Sequence, residues 1–327
     1  MRGFTLILAI LAVFSIPVIG QIDDPINVET SVVRLNVGVA DRQGRPVTDL
    51  ERSVFTVYED GVKQPIVGFE PSTAPFSVVL MLDMSGSTLP FRQVLKAAAN
   101  RFVYALGPED RVAVVEFYDR VNLRNDFTTN GKVILHSIDA SNGRGKTRLY
   151  DAIDFALDKL AREKGRRKAI IVLSDGVDSN AQAADRDKLA GMPDSKVPNG
   201  IQPDDYGPMA EILRKSDKLG VSIYPLALPT GDPAKLADPT PRQIEMFRAA
   251  RERFAFIAQR TGATIRTINR LEDMGRLYAE VAADLRTLYT IDYQPLNYKR
   301  DGKWHSIKVE VTNPELISRT RTGYFAR

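Results

Sequence analysis

The chain has 327 residues, of which 43% are hydrophobic and 26% charged, with a formal net charge of +4 and no cysteine. That length holds one large domain or two ordinary ones, and the balance of residues is that of a soluble globular protein. The missing cysteine excludes disulfides, thiolate metal sites, a cysteine nucleophile and a lipid-modified cysteine, while a small dispersed charge with no basic stripe interleaved with aromatics speaks against nucleic acid as a partner.

The N-terminus reads as a targeting segment rather than as part of the fold. Arg2 supplies a positive start, Phe4 to Ile19 carries no charge, and Val18 and Gly20 are small enough for the −3 and −1 positions of a signal peptidase site. Residues 1–20 are expected to be a cleaved secretory signal, the alternative being an uncleaved anchor. Either places the remainder outside the cytoplasm, in a bacterial periplasm, cell envelope or medium. No other segment has the length and apolarity of a membrane span.

Residues 21–75 have the period of strands. Val33, Leu35, Val37 and Val39 alternate with Arg34, Asn36 and Gly38, and Asp60-Gly61 is a hairpin signal between Phe55–Tyr58 and Ile66–Phe69. Over 76–288 short apolar runs alternate with helical ones. Strands are expected at Val78–Leu82, Val112–Phe117, Ala169–Leu173, Ser222–Leu226 and Ala263–Thr267, with Val121–Phe127 as an antiparallel edge. Helices are expected at Phe91–Leu106, Leu149–Arg162 and Ile244–Thr261. Such βα repetition predicts an α/β, doubly wound and mostly parallel sheet. Residues 289–327 return to strands, with Asp301-Gly302 as a second hairpin signal and Ile317–Phe325 as a last strand. Neither terminal zone buries a core alone, so the two are expected to pair into one small β-sandwich. The polar, proline-containing stretches Ser179–Asp205 and Leu228–Arg242 read as long loops at the carboxyl ends of strands, where ligands bind in doubly wound folds.

Three of these strand and helix ends carry oxygen ligands. The first parallel strand ends in Leu82-Asp83-Met84-Ser85-Gly86-Ser87-Thr88, which sets a carboxylate and two hydroxyls on one tight turn. Gly145-Lys146-Thr147-Arg148-Leu149-Tyr150-Asp151 places a further hydroxyl before a helix, and Leu173-Ser174-Asp175-Gly176 ends another strand with an acid. Hard cations such as Mg²⁺ take oxygen ligands at about 2.0–2.1 Å. A simpler reading of the same residues makes Asp83 and Asp175 turn formers and Ser87 or Thr88 a helix N-cap, and the two readings are compatible.

Together these motifs resemble a von Willebrand factor A domain with a metal-ion-dependent adhesion site. The family's D-x-S-x-S is matched by Asp83, Ser85 and Ser87, its later threonine by Thr147 and its final aspartate by Asp175, over roughly Ser77 to Tyr289. The flanks, Glu29–Glu70 and Tyr289–Arg327, resemble the VWFA-related proteins of acidobacterial type. The resemblance implies one Mg²⁺ (or Mn²⁺ or Ca²⁺) held by Ser85, Ser87 and Thr147. Asp83 and Asp175 would approach the ion or hold its waters, and an open position would take an Asp or Glu carboxylate from a protein partner. It implies binding rather than catalysis.

Other side chains carry less. His136 and His305 fall in different zones and read as surface or packing residues; Asp178 reads as a solvated loop carboxylate, and Trp304 and Tyr324 as sandwich core. A phosphohydrolase using Asp83 would want a second acid two residues on, where Ser85 stands, and a serine hydrolase lacks its G-x-S-x-G elbow. A structural envelope scaffold whose metal only stabilises the fold is the remaining alternative.

Overall fold

The computed structural model describes residues 32–228, 237–268, 270–296 and 301–326. The expected signal segment, residues 1–20, and much of the Leu228–Arg242 stretch lie outside the described residues.

The chain begins with four strands, β1 (Val33–Asp41), β2 (Phe55–Glu59), β3 (Val62–Gln64) and β4 (Ile66–Glu70). It then enters the α/β region through β5 (Phe76–Asp83), α1 (Arg92–Tyr104), β6 (Arg111–Phe117), β7 (Val121–Thr128), α2 (Gly131–Ala140) and α3 (Leu149–Ala161). The region continues through β8 (Arg167–Ser174), α4 (Ser179–Ala190), α5 (Pro208–Leu219), β9 (Ser222–Ala227), α6 (Pro241–Arg260), β10 (Arg266–Thr267) and α7 (Met274–Arg286). Four strands close the chain, β11 (Leu288–Tyr293), β12 (Trp304–Val311), β13 (Leu316–Arg319) and β14 (Gly323–Phe325).

The central sheet has six strands in the order β10-β9-β8-β5-β6-β7, parallel except for the edge strand β7. Its inner strands are buried on both faces, which is why they read as unbroken apolar runs. Along β5, Val78, Leu80 and Leu82 pack towards α1, α2 and α7, whereas Val79 and Met81 pack towards α3, α5 and α6. The chain leaves β5 for β6 on one side and later returns to β8 on the other. This opens a crevice at the carboxyl end of β5, the position at which doubly wound sheets bind ligands.

Both chain ends contribute to two further four-stranded sheets, β13-β1-β11-β4 and β14-β12-β2-β3. They share one core in which Val33, Leu35 and Val37 meet Phe55, Val57, Val309, Tyr289 and Ile291. The hairpin signals act differently from expectation. Asp60-Gly61 joins β2 to β3, not to Ile66–Phe69, because the chain then passes through Pro65 and β4 pairs with β11 in the other sheet. Pro65 has no N–H with which to continue the β3 ladder. Likewise β11 and β12 lie in different sheets, so Asp301-Gly302 does not join a hairpin between them. The expected last strand over Ile317–Phe325 is two strands, one in each sheet. Tyr324 is core, but Trp304 is 38% exposed and packs on the edge of Phe325 and over Arg260.

The stretch Ser179–Asp205 is not a long loop. Residues Ser179–Ala190 form α4, whose N-terminus is capped by Asp178. Only Ala181, Asp185 and Leu189 of this helix are buried, so it has no apolar stripe to betray it. The segment after α4 is tied to α6 by buried Glu245, which accepts the N–H groups of Asn199 and Ile201, both at 3.0 Å. Helices α2, α5 and α7 complete the layers.

A buried ionic cluster joins the terminal sheets to the central one. Asp217 on α5 accepts from Arg260 at 3.3 Å and from Arg321, which stands between β13 and β14. Arg260 also donates to the Gly323 carbonyl at 2.8 Å and stacks on Trp304 at 4.2 Å, while Asn36 of β1 donates to Ser222 of β9 at 2.9 Å. Removing one member of a buried pair strands the other's charge. Asp217→Ala is therefore expected to lower the stability measured by urea unfolding by about 3–5 kcal/mol. A loss below about 1 kcal/mol, the scale of a surface pair, would show that water solvates both guanidiniums.

Candidate metal centre

Asp83 is the last residue of β5 and is fully buried. One carboxylate oxygen accepts the Ser85 N–H at 2.9 Å, and the other accepts the Ser174 hydroxyl from the end of β8 at 2.6 Å. The chain then turns so that the Ser85 and Ser87 hydroxyl oxygens lie 3.2 Å apart. Ser85 is buried, while Ser87 is exposed. Thr88 donates to the carbonyls of Asp83 at 2.9 Å and Ser85 at 3.0 Å. Its hydroxyl thus closes the 3₁₀ stretch Gly86–Phe91, and neither Ser87 nor Thr88 caps α1.

Two other loops are bonded to this turn or to each other. The Gly86 N–H donates to the Gly145 carbonyl at 3.0 Å, which joins the first loop to the one carrying buried Thr147. Thr147 in turn exchanges bonds with Ser179: its N–H donates to the Ser179 hydroxyl at 3.0 Å, and the Ser179 N–H donates to its carbonyl at 2.9 Å. Asp175 succeeds β8, is 3% exposed, and accepts the Val177 N–H at 3.1 Å. The next residue, Gly176, has φ +82°, and a Cβ there would meet the Phe254 ring at 3.1 Å, so glycine is needed to turn the chain. Asp178 is buried rather than solvated: it caps α4 through Asn180 and Ala181 at 2.9 Å and accepts the Tyr150 N–H of α3 at 3.4 Å.

The structure therefore brings Asp83, Ser85, Ser87 and the Asp175 loop together at the β5–β8 crevice, and bonds the Thr147 loop to both. Sequence reading gave no role to Ser174, Ser179 or Arg92. Arg92 donates to the carbonyls of Met84 at 2.7 Å and Ser85 at 3.2 Å, and to that of Gly143, so it holds the first loop against the second. Ser174 stood inside the quoted S-D-G motif, but nothing in one sequence distinguishes a carboxylate partner from a turn serine.

The electrostatics of the site are strained. Burial, and then the charge of Asp175, push the Asp83 carboxyl up to about 7, against the opposing bonds from Ser174 and Ser85. No Lys or Arg among the described residues forms an ion pair with Asp83, although the Arg92 guanidinium, bonded to the Met84 and Ser85 carbonyls, feels its charge. Two carboxylates and several neutral hydroxyls make an all-oxygen donor set of the kind that fits a hard divalent cation.

The two histidines lie on other elements, His136 on α2 and His305 on β12. His305 joins Glu59 and Asp60 in the one group of three or more His, Asp or Glu ligand atoms that cluster closely among the described residues. Its Nδ1 lies 2.7 Å from Asp60, 3.8 Å from Glu59, and its Nε2 3.5 Å from Asp301; its ring stacks on Tyr324. Burial opposes the charged form, but the bond to Asp60 and the charges of Asp60, Glu59 and Asp301 outweigh it and raise the pKa. The imidazolium's contribution to stability is full below its unfolded pKa of about 6.5 and is lost as pH rises through the higher folded value. Accordingly, the melting temperature lost in His305→Gln should be largest near about pH 6 and shrink towards about pH 9. A pH-independent difference between the two proteins would mean that the ring acts by packing alone.

No curated protein sequence matches the chain. Among solved structures, an aerotolerance-related membrane protein from Bacteroides fragilis is 16% identical, with a TM-score of 0.45, covering 64% of this chain and 98% of its own. The vWF domain of the type V pili tip protein Mfa5 from Porphyromonas gingivalis is 14% identical (TM-score 0.45; 64% of this chain, 95% of its own). A von Willebrand factor type A protein from Catenulispora acidiphila is 11% identical (TM-score 0.47; 92% of this chain, 64% of its own). The family model for the von Willebrand factor type A domain matches residues 78–177, a span that includes Asp83, Ser85, Ser87, Thr147 and Asp175. With that match and the doubly wound sheet, the chain carries a von Willebrand factor type A domain.

Proposed function

We propose that this chain is an exported, metal-dependent protein-binding module. In this reading Ser85, Ser87 and Thr147 offer hydroxyls to one Mg²⁺, or Mn²⁺ or Ca²⁺ in its place, and Asp83 and Asp175 approach the ion or hold its waters. The bound cation supplies a Lewis-acidic position for a carboxylate of an Asp or Glu on a partner protein. Export is supported by the apolar run from Phe4 to Ile19 behind Arg2.

The observation that carries the metal is buried Asp83 beside a second buried carboxylate, with no cationic side chain paired to it among the described residues. Such an arrangement is costly unless the carboxyl takes a proton or a cation. The hydroxyl-rich remainder favours a cation left electrophilic towards an anion from outside. Binding, not turnover, is the reading this donor set supports, since Asp83, the carboxylate beside Ser85, is engaged by the Ser85 N–H and the Ser174 hydroxyl and would be drawn to the ion.

Asp83→Asn separates the charge from the shape. An asparagine can still accept from the Ser85 N–H and meet the Ser174 hydroxyl, but it removes the repulsion with Asp175. The metal-free variant is expected to melt no lower than the metal-free wild type at about pH 8, yet to lose the rise in melting temperature that Mg²⁺ gives the wild type. A variant that kept that rise would end the metal reading. The raised pKa also has a sign. Ion binding must expel the Asp83 proton, so Mg²⁺ affinity by calorimetry should weaken below about pH 7, approaching tenfold per pH unit. Affinity unchanged from about pH 8 to about pH 5.5 would exclude Asp83 as a group that titrates with binding.

A further inference from the structure

We propose that the rim of this site is built to select a partner segment bearing a cluster of carboxylates, with one acid on the metal and its neighbours on the cations Arg120, Arg144 and Lys146. The inference rests on the metal-dependent reading above and specifies the partner as an acidic peptide.

Several cations elsewhere in the molecule are closely paired. Lys215 bridges Asp154 and Asp158, Arg248 bridges Glu245 and Glu252, and Lys159 meets Asp126. The cations of the loop before Thr147 are not paired in this way, and they stand beside the proposed ion. Arg144 and Lys146 are both exposed, and the side chain of neither forms an ion pair or hydrogen bond among the described residues. Arg120 is also exposed, with its guanidinium lying only over the Tyr118 ring at 5.8 Å. The local acids offset these cations only in part. Asp151 is paired with Arg148 at 2.6 Å, which leaves Asp119, whose carboxylate accepts the Lys146 N–H at 2.7 Å, as one acid against three cations. Arg144 lies close enough to Arg92 for the two charges to oppose one another.

These cations sit at the metal motif and are held there. Lys146 directly precedes Thr147, and the Gly145 carbonyl receives the Gly86 N–H from between Ser85 and Ser87. The loop is pressed onto the Tyr118–Asp119 corner. A Cβ at Gly143 would fall 2.3 Å from the Tyr118 ring, and one at Gly145, where φ is +99°, 2.2 Å from the Asp119 carboxylate. A fixed backbone presenting unpaired charge around a cation steers and discriminates anionic partners more than it adds affinity. The turn that carries Ser87 also exposes Leu89 at 46%, with Pro90 exposed beside it, an apolar shoulder that suits a peptide rather than a polyphosphate or nucleic acid.

The test uses the full chain, fluorescence anisotropy and two labelled Gly/Ser peptides, one with a single glutamate and one with a run of glutamates. In Mg²⁺ the run is expected to bind at least about tenfold tighter than the single acid, with a steeper loss on adding salt. The double variant Arg144→Glu, Lys146→Glu should abolish that preference while keeping the Mg²⁺-induced rise in melting temperature, which shows that the fold and ion site survive. Equal affinity for the two peptides, binding of neither, or a preference intact in the double variant would overturn the proposal. So would inorganic polyphosphate binding as tightly as the glutamate run. If the run binds equally well in EDTA but not to the double variant, the cationic rim stands and the metal reading fails.

Discussion

A carboxylate at the end of a strand buried on both faces must be neutralised, and the upper edge of this domain is arranged around that requirement. Asp83 has no exposure and faces the charge of Asp175 across the β5–β8 crevice. Its two local partners, the Ser85 N–H and the Ser174 hydroxyl, satisfy lone pairs without cancelling charge. Asp83 also ends the strand from which the central sheet sends the chain off in opposite directions, the position at which doubly wound sheets bind ligands.

That coincidence is maintained from beneath and from the side. Asp178 ties the third loop to the starts of both α3 and α4, Ser179 locks onto Thr147, and Arg92 gathers three carbonyls from the first two loops. These bonds are local and polar, and each fixes a backbone rather than a ligand atom. The terminal sheets contribute at a distance. Through Asp217, Arg260 and Arg321 they clamp the ends of α5 and α6, the latter of which carries Phe254 against Gly176. Energetically the clamp favours a single arrangement of the two parts more than it adds stability, since both guanidiniums lose their hydration to form it.

How much of this was legible in the sequence depended on whether burial left a period. The central strands were read within one or two residues because parallel strands covered on both faces must be apolar throughout. Helix α3 showed a stripe. By contrast α4 buries one small, one acidic and one apolar side chain, so a polar tract with three later prolines looked like a loop. The two hairpin signals were sound as turns but mute about which sheet the chain joins next, because sheet switching at Pro65 is decided by the shared core, not by local propensity. Trp304 illustrates the limit for side chains: aromatic character predicted burial, but its place is over a guanidinium at a seam between sheets and helices.

The candidate site divides along the same line. Asp83, Ser85, Ser87, Thr147 and Asp175 could be named from type and spacing because oxygen donors at strand ends are unusual against apolar flanks. Asp178 could not, since a carboxylate three residues beyond a strand has the same sequence appearance whether it is solvated or capping two helices. The cations beside Thr147 posed a subtler problem. A net charge of +4 over the chain gives no hint of them, because what matters is not how many lysines and arginines there are but which lack a counter-ion. Only the folded arrangement reveals that Arg148 is answered by Asp151 while Lys146 and Arg144, earlier on the same loop, are answered by no described residue. Unpaired charge beside the Thr147 loop is then a property of the folded arrangement rather than of the composition.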